Sequence, residues 1–191
     1  YDILYPVLDE LRNSKFELSV FISGAHLSSE HNNTYKQILS DNFKIADYSD
    51  SYLSSDRLTQ RPRGVSMIIN GLCQTVERIK PNFIIVVGDR EESIASAIVG
   101  NYMNTLVVHL GGGDPVYGNT DDPTRFAVSK LAHIHCCFTE EYKENLIRVG
   151  EDSFRVFNTG NPSFVNIFKE PSLSIDKLSK DLQIDLKGRP Y

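Results

Sequence analysis

Two short stretches concentrate residues that can move protons or hold an anion: VVGDREE at 86–92 and VVHLGGGD at 107–114. In the first, Gly88 lets the chain turn, Asp89 can serve as a general base, and Arg90 can hold a phosphate or the aspartate itself. Asp89 reads equally as the N-cap of a following helix. In the second, His109 closes a run of apolar residues, so its ring is expected to be fixed and partly desolvated. Gly111, Gly112 and Gly113 then permit close backbone approach to a ligand, with Asp114 beyond them. A third stretch, GNTDDPTR at 118–125, places Asp121 and Asp122 at a helix start, with Arg125 four residues after Asp121 and able to steer it. His26 lies in GAHLSSEHNNT, directly after a strand-ending glycine. The glycine-rich loop lacks both the GxGxxG order and the Lys-Ser/Thr ending, so neither a dinucleotide fold nor a P-loop is supported. His133 and His135 beside Cys136 and Cys137 do not have the spacing of a closed zinc site, and no metal or cofactor is expected.

These residues need a scaffold that brings them to one edge. Apolar, β-branched runs at 16–24, 83–87, 105–110, 134–138 and 154–158 read as strands. Helical patterns separate them, at 32–41, 64–80, 91–103, 121–133 and 140–150, with another over the first residues and one inside the more polar stretch 171–188. Alternating strands and helices predict an α/β fold: a Rossmann-like parallel sheet flanked by helices, with 83–87 as a central strand buried on both faces. Ligands of open parallel sheets sit beyond the carboxyl ends of the strands. That rule gathers Gly24–His26, Gly88–Arg90, His109–Asp122 and Gly160–Asn161 on one rim. The stripe on 64–80 faces either the core or a second subunit, the core being the default.

The 191 residues carry 40% hydrophobic and 24% charged residues, which is globular composition. A net charge of −5 without a basic stripe argues against a nucleic-acid partner, and no apolar run is long enough to cross a membrane as a helix. Three cysteines without CxxC spacing read as reduced residues of a cytoplasmic protein. The chain opens on a helical pattern without an initiator Met and stops where a strand could begin, which reads as a piece of a larger chain.

Taken in order, SGAHLS, NNTY, GDR followed by an acidic residue, HLGGGD, GNTDDPTRFAVSKLAHIH and RVFNTGNPS resemble the hydrolysing UDP-N-acetylglucosamine 2-epimerases of the sialic-acid and legionaminic-acid type, over about residues 1–165. The resemblance implies a GT-B-like two-domain fold with the active site between the halves. Residues 1–170 would be the N-terminal Rossmann-like domain without its leading strand, and 171–191 a linker toward a C-terminal domain supplying most nucleotide contacts. It implies elimination of UDP from UDP-N-acetylglucosamine, then addition of water to give N-acetylmannosamine, without metal or cofactor and in a homo-oligomer. It assigns acid/base roles to Asp89 and Asp121, orienting roles to His109 and Arg125, and a sugar contact to His26. Relatives carry Glu or His where this sequence has Gly111, and an aromatic residue and Gly where it has His31 and Asn32. A GDP-linked substrate, a GT-B glycosyltransferase half and a non-catalytic nucleotide-sugar-binding domain are the alternatives.

Overall fold

A computed structural model describes residues 1–169 and 173–186; the expected domain boundary at 170–171 lies outside them. Six strands, β1 (Val20–Ser23), β2 (Ile45–Ser49), β3 (Phe83–Val87), β4 (Leu106–Leu110), β5 (Ile134–Cys137) and β6 (Val156–Asn158), alternate with eight helices. The helices are α1 (Tyr5–Arg12), α2 (Tyr35–Ser40), α3 (Gln60–Ile79), α4 (Glu91–Tyr102), α5 (Asp121–Leu131), α6 (Glu140–Arg148), α7 (Ser163–Lys169) and α8 (Ile175–Leu182). All strand pairs are parallel, as the alternation requires. They form two ladders, β1-β2 and β3-β4-β5-β6, rather than one. β3 therefore sits at an edge of its ladder, and Phe83 at its start is 45% exposed, in contrast to the expected central strand.

A shared core bridges the two ladders. Leu72 and Val76 of α3 and Val99 of α4 pack together with Phe21 of β1 and Ile84 of β3. The α3 stripe is thus spent on the core through Ile68, Leu72 and Val76, and the interface reading is not needed to explain it. Val86, Val107, Val128, Ala97 and Ala132 bind α4 and α5 to the face of the larger ladder. Each such buried Val, Leu or Ile side chain contributes roughly 1.5–3 kcal/mol from area removed from water.

β2 has no counterpart in the sequence reading. Its IADYS run interrupts the apolar pattern with Asp47, whose carboxylate accepts from Thr75 (3.2 Å) and Arg78 (2.8 Å) of α3. β1 is shorter than the run at 16–24, since Phe16 is 53% exposed. The helix expected over 32–41 is confined to α2, because Asn32 and Asn33 take positive φ angles of 61° and 49°.

Candidate functional site

The carboxyl ends of β3 and β4 and the start of α5 bring Asp89, Asp114 and Arg125 into one knot. Arg125 Nε donates to Asp89 Oδ2 at 3.0 Å, and its Nη2 donates to the same oxygen. Its Nη1 meets Asp114 Oδ2 at 2.7 Å and donates to the Asp114 carbonyl at 3.1 Å. The Arg125 and Asp89 side chains are each 13% exposed. Burial opposes the guanidinium charge, but the two carboxylates outweigh it and raise its pKa further. Both contacts to Asp89 converge on Oδ2, and no hydrogen bond among the described residues engages Oδ1. A carboxylate held this way is oriented through one oxygen.

The partners differ from two expectations. Asp89 is not the cap of α4: Arg90 occupies that position, with no side-chain cap bond, and Asp89 turns to Arg125 instead. Arg125 does not steer Asp121, because the neighbouring strand ends present closer carboxylates. Asp121 accepts from Asn119 (3.0 Å) and meets Arg61 of α3 at 3.5 Å. Asp122 accepts from the Val116 amide at 2.8 Å. The two acidic residues at the start of α5 thus serve different partners and do not form a shared pair.

His109 is fully buried. Its Nε2–H donates to the Gly88 carbonyl at 2.9 Å, which leaves Nδ1 as an acceptor for the Ser129 hydroxyl at 3.0 Å. Ser129 Oγ also lies 3.1 Å from the Arg125 carbonyl. Burial pushes the imidazole down to about 4, so the ring is neutral at physiological pH. With both nitrogens engaged inside the protein, His109 fixes the turn carrying Asp89.

Gly111, Gly112 and Gly113 are all buried, so their first duty is packing rather than an open cradle. A Cβ on Gly111 (φ +76°) would lie 2.9 Å from Phe138 Cε2. One on Gly112 would lie 2.8 Å from Ser129 Oγ and 3.0 Å from His109 Nδ1, and one on Gly113 would run into the Tyr142 carbonyl. This packing swings Asp114 onto Arg125 and under Tyr142, whose phenol is pushed up in pKa by its hydrogen bond to Asp114. Asn145 secures the loop by donating to the Gly113 carbonyl at 3.0 Å. Ser129, Phe138 and Tyr142 carry no signal in the sequence that marks them as part of this constellation.

The other rim residues stand apart from the knot. His26 lies in a short 3₁₀ turn after β1 and contacts Thr34 Oγ1 at 2.7 Å; burial lowers its pKa. Beside it, a cleft of about 290 Å³ is lined by Gly24, Ser28, Glu30, Asp50, Tyr52 and Ser54, among others. The Arg90 side chain is 72% exposed and reaches Glu91 only at 3.8 Å, so it is available to an anion. Glu91 is taken by Arg61. Burial raises the pKa of Glu92. Among the described residues, no group of three His, Cys, Asp or Glu side chains is placed to hold a metal ion, and no helix is long and apolar enough to cross a membrane.

Comparison with known proteins bears on this geometry. The sequence pattern of the family described as UDP-N-acetylglucosamine 2-epimerase matches residues 9–190. The chain is 33% identical over 190 residues to the GDP/UDP-N,N'-diacetylbacillosamine 2-epimerase (hydrolyzing) of Campylobacter jejuni, covering 99% of this chain and 49% of that protein. It is 31% identical over 162 residues to the UDP-N-acetylglucosamine 2-epimerase of Neisseria meningitidis serogroup B, covering 83% and 41%. The solved UDP-GlcNAc 2-epimerase from Neisseria meningitidis, bound to UDP-GlcNAc, superposes with a TM-score of 0.73 at 24% identity, over 95% of this chain and 50% of that one. The fold is thus that of one half of a GT-B-like architecture, and the chain spans about half the length of the curated relatives it matches.

Proposed function

The chain belongs to the UDP-N-acetylglucosamine 2-epimerase family, and on that premise we propose that its parent protein is a hydrolysing UDP-sugar 2-epimerase. The observation that carries the reading is Asp89: oriented by Arg125 through one oxygen, with no hydrogen bond among the described residues on the other, at the strand-end rim where open α/β sheets hold ligands. The chemistry asks for such a group. A base removes the proton at C2 of the sugar, the electrons form the C1–C2 double bond, and the C1–O bond breaks to release UDP. Water then adds its oxygen to C1, and a proton returns to C2 on the opposite face.

In this reading Asp89 takes the C2 proton. Arg125 keeps it aimed, and His109 fixes the Gly88 turn beneath it. Arg90 is positioned for the diphosphate. Asp121, held by Arg61 and Asn119, is the second acid/base candidate. His26 lines the sugar side of the rim, and Asp114 and the glycine loop hold the frame together. Gly111 cannot transfer a proton, and Asp114 is committed to Arg125, so water delivery rests on another group or on the rest of the parent chain. We also propose that the second wall of the cleft and the nucleotide contacts come from that remainder, so that residues 1–191 alone are inactive.

Two sugars are candidates. The sequence motifs suggest UDP-N-acetylglucosamine. UDP-N,N'-diacetylbacillosamine is favoured by the Campylobacter jejuni relative above and by a Legionella pneumophila relative, which match 99% and 97% of this chain. Proton NMR of the full-length protein with each UDP-sugar in D₂O is the test. Release of UDP with a 2-epimerised free sugar carrying deuterium at C2 is expected. Intact substrate with both UDP-sugars would overturn the reading, whether or not GDP-N-acetylglucosamine is turned over.

A further inference from the structure

The middle of the carboxyl rim is defined by backbone hydrogen bonds that run past the strand ends. Gly88 N–H donates to the Leu110 carbonyl, Gly111 N–H to that of Cys136, and Thr159 N–H to that of Cys137, each at 2.9 Å. These bonds set the ends of β3 to β6 level. Phe138 is the first residue beyond β5, beside Gly111. Its ring edge occupies the volume that a side chain on Gly111 would need, 2.9 Å from where that Cβ would stand. Cys137 before it is fully buried, whereas Phe138 is only half-buried. The segments leaving the other strand ends carry polar residues: Asp89 after β3, Asp114 after β4 and Thr159 directly after β6. The glycine and the aromatic ring thus form one unit, which places an apolar surface where the adjacent strands present proton-transfer and hydrogen-bonding groups.

From this we infer that Phe138 is a specificity-determining residue, the wall that meets the C–H face and acetyl methyl groups of the sugar while its polar edge turns to Asp89 and Arg125. The inference rests on the function proposed above and deepens it. An N-acetylated pyranose has both kinds of surface, and aromatic rings take the apolar one. A sugar with two acetamido groups and a C6 methyl offers more apolar surface than N-acetylglucosamine. The wall therefore favours the diacetylated donor, and this preference is carried by KM rather than by the chemical step.

The test compares wild type, Phe138→Ala and Phe138→Tyr in the full-length protein. Steady-state kinetics and calorimetric affinity are measured with both UDP-sugars and with UDP alone. Phe138→Ala is expected to raise KM about tenfold or more for the diacetylated donor, less for UDP-N-acetylglucosamine, with kcat within about threefold. Affinity for UDP should be unchanged, and Phe138→Tyr should restore KM. Unchanged KM for both donors, a loss in kcat alone, or an equal loss of affinity for UDP would each overturn the wall. If wild type binds both donors but turns over neither, the proposed reaction fails, yet weaker donor binding by Phe138→Ala still supports the wall. A wild type that binds neither donor sinks both readings.

Discussion

The larger ladder carries an arginine–carboxylate cluster at each end, and the two are built to opposite specifications. At the carboxyl rim, Arg125 serves Asp89 and Asp114, and the second Asp89 oxygen has no hydrogen bond among the described residues. At the amino ends of β5 and β6, Glu151 is fully buried and is engaged by Arg155, by Lys130 at 2.7 Å and by His135 Nε2 at 3.2 Å. The lower cluster surrounds its carboxylate with three basic side chains that lie in contact with both oxygens. The upper one surrounds an arginine with two acids and leaves an acceptor unspent. The difference separates a group kept for chemistry from one kept for architecture, although both read as charged residues in loops beside strands.

Substitution at the centre of each cluster separates the two roles. Asp89→Asn in the full-length protein is expected to lower kcat for epimerisation by about 10³-fold, as loss of a general base does, with the thermal midpoint little changed. Full activity in this variant would refute the assignment. Glu151→Gln is expected to do the reverse. It leaves Arg155 and Lys130 without their anion and costs about 3–5 kcal/mol in urea unfolding, while activity per folded molecule is retained.

Acid adds a second contrast. The folded-state pKa of His109 is about 4, below the ordinary 6.5, because burial disfavours its charge. Above pH 6.5 both folded and unfolded states are neutral at this site and stability is unaffected. Between pH 6.5 and 4 the unfolded chain gains a proton that the native site refuses, so stability falls by up to about 3 kcal/mol and then levels off. His135 is shifted in the same direction by burial and adds to the loss. Urea unfolding followed from pH 7.5 to 4 tests this, and His109→Gln should flatten part of the slope. A smaller effect is expected at the glycine–aromatic unit. Gly111→Ala should cost about 1–3 kcal/mol, since it combines a positive φ with contact on the Phe138 ring, and Phe138→Ala should relieve the contact but not the backbone strain. Additive stabilities in that double variant would show that the two residues are not coupled.

These outcomes also mark what the sequence could disclose. Five strands were legible because their β-branched runs must be buried, and the rim followed from parallel topology alone. β2 was hidden because Asp47 breaks its apolar pattern, and its justification lies 28 residues away at Thr75. α7 was missed although Phe164, Ile167 and Phe168 recur at helical spacing; all three are exposed in the fold. Within the site, Asp89, His109, Asp114 and Arg125 were legible as chemistry-bearing types near strand ends. Their pairing was not. Spacing along α5 favoured Arg125 with Asp121, while the ladder register brings Asp89 and Asp114 nearer. Ser129, Phe138 and Tyr142 belong to residue types too common to stand out, and only three-dimensional proximity reveals their part.

The hydrogen-bonded path from the Gly88 carbonyl through His109 and Ser129 to the Arg125 carbonyl ties the backbone of the base to the backbone of its counter-ion. The single hydroxyl proton of Ser129 has two acceptors in reach, His109 Nδ1 and the Arg125 carbonyl, and serves one at a time. A mutational scan scored on turnover should therefore light up at Ser129, a residue that is 1% exposed, while a solvent-facing position of α5 such as Ala127 stays silent.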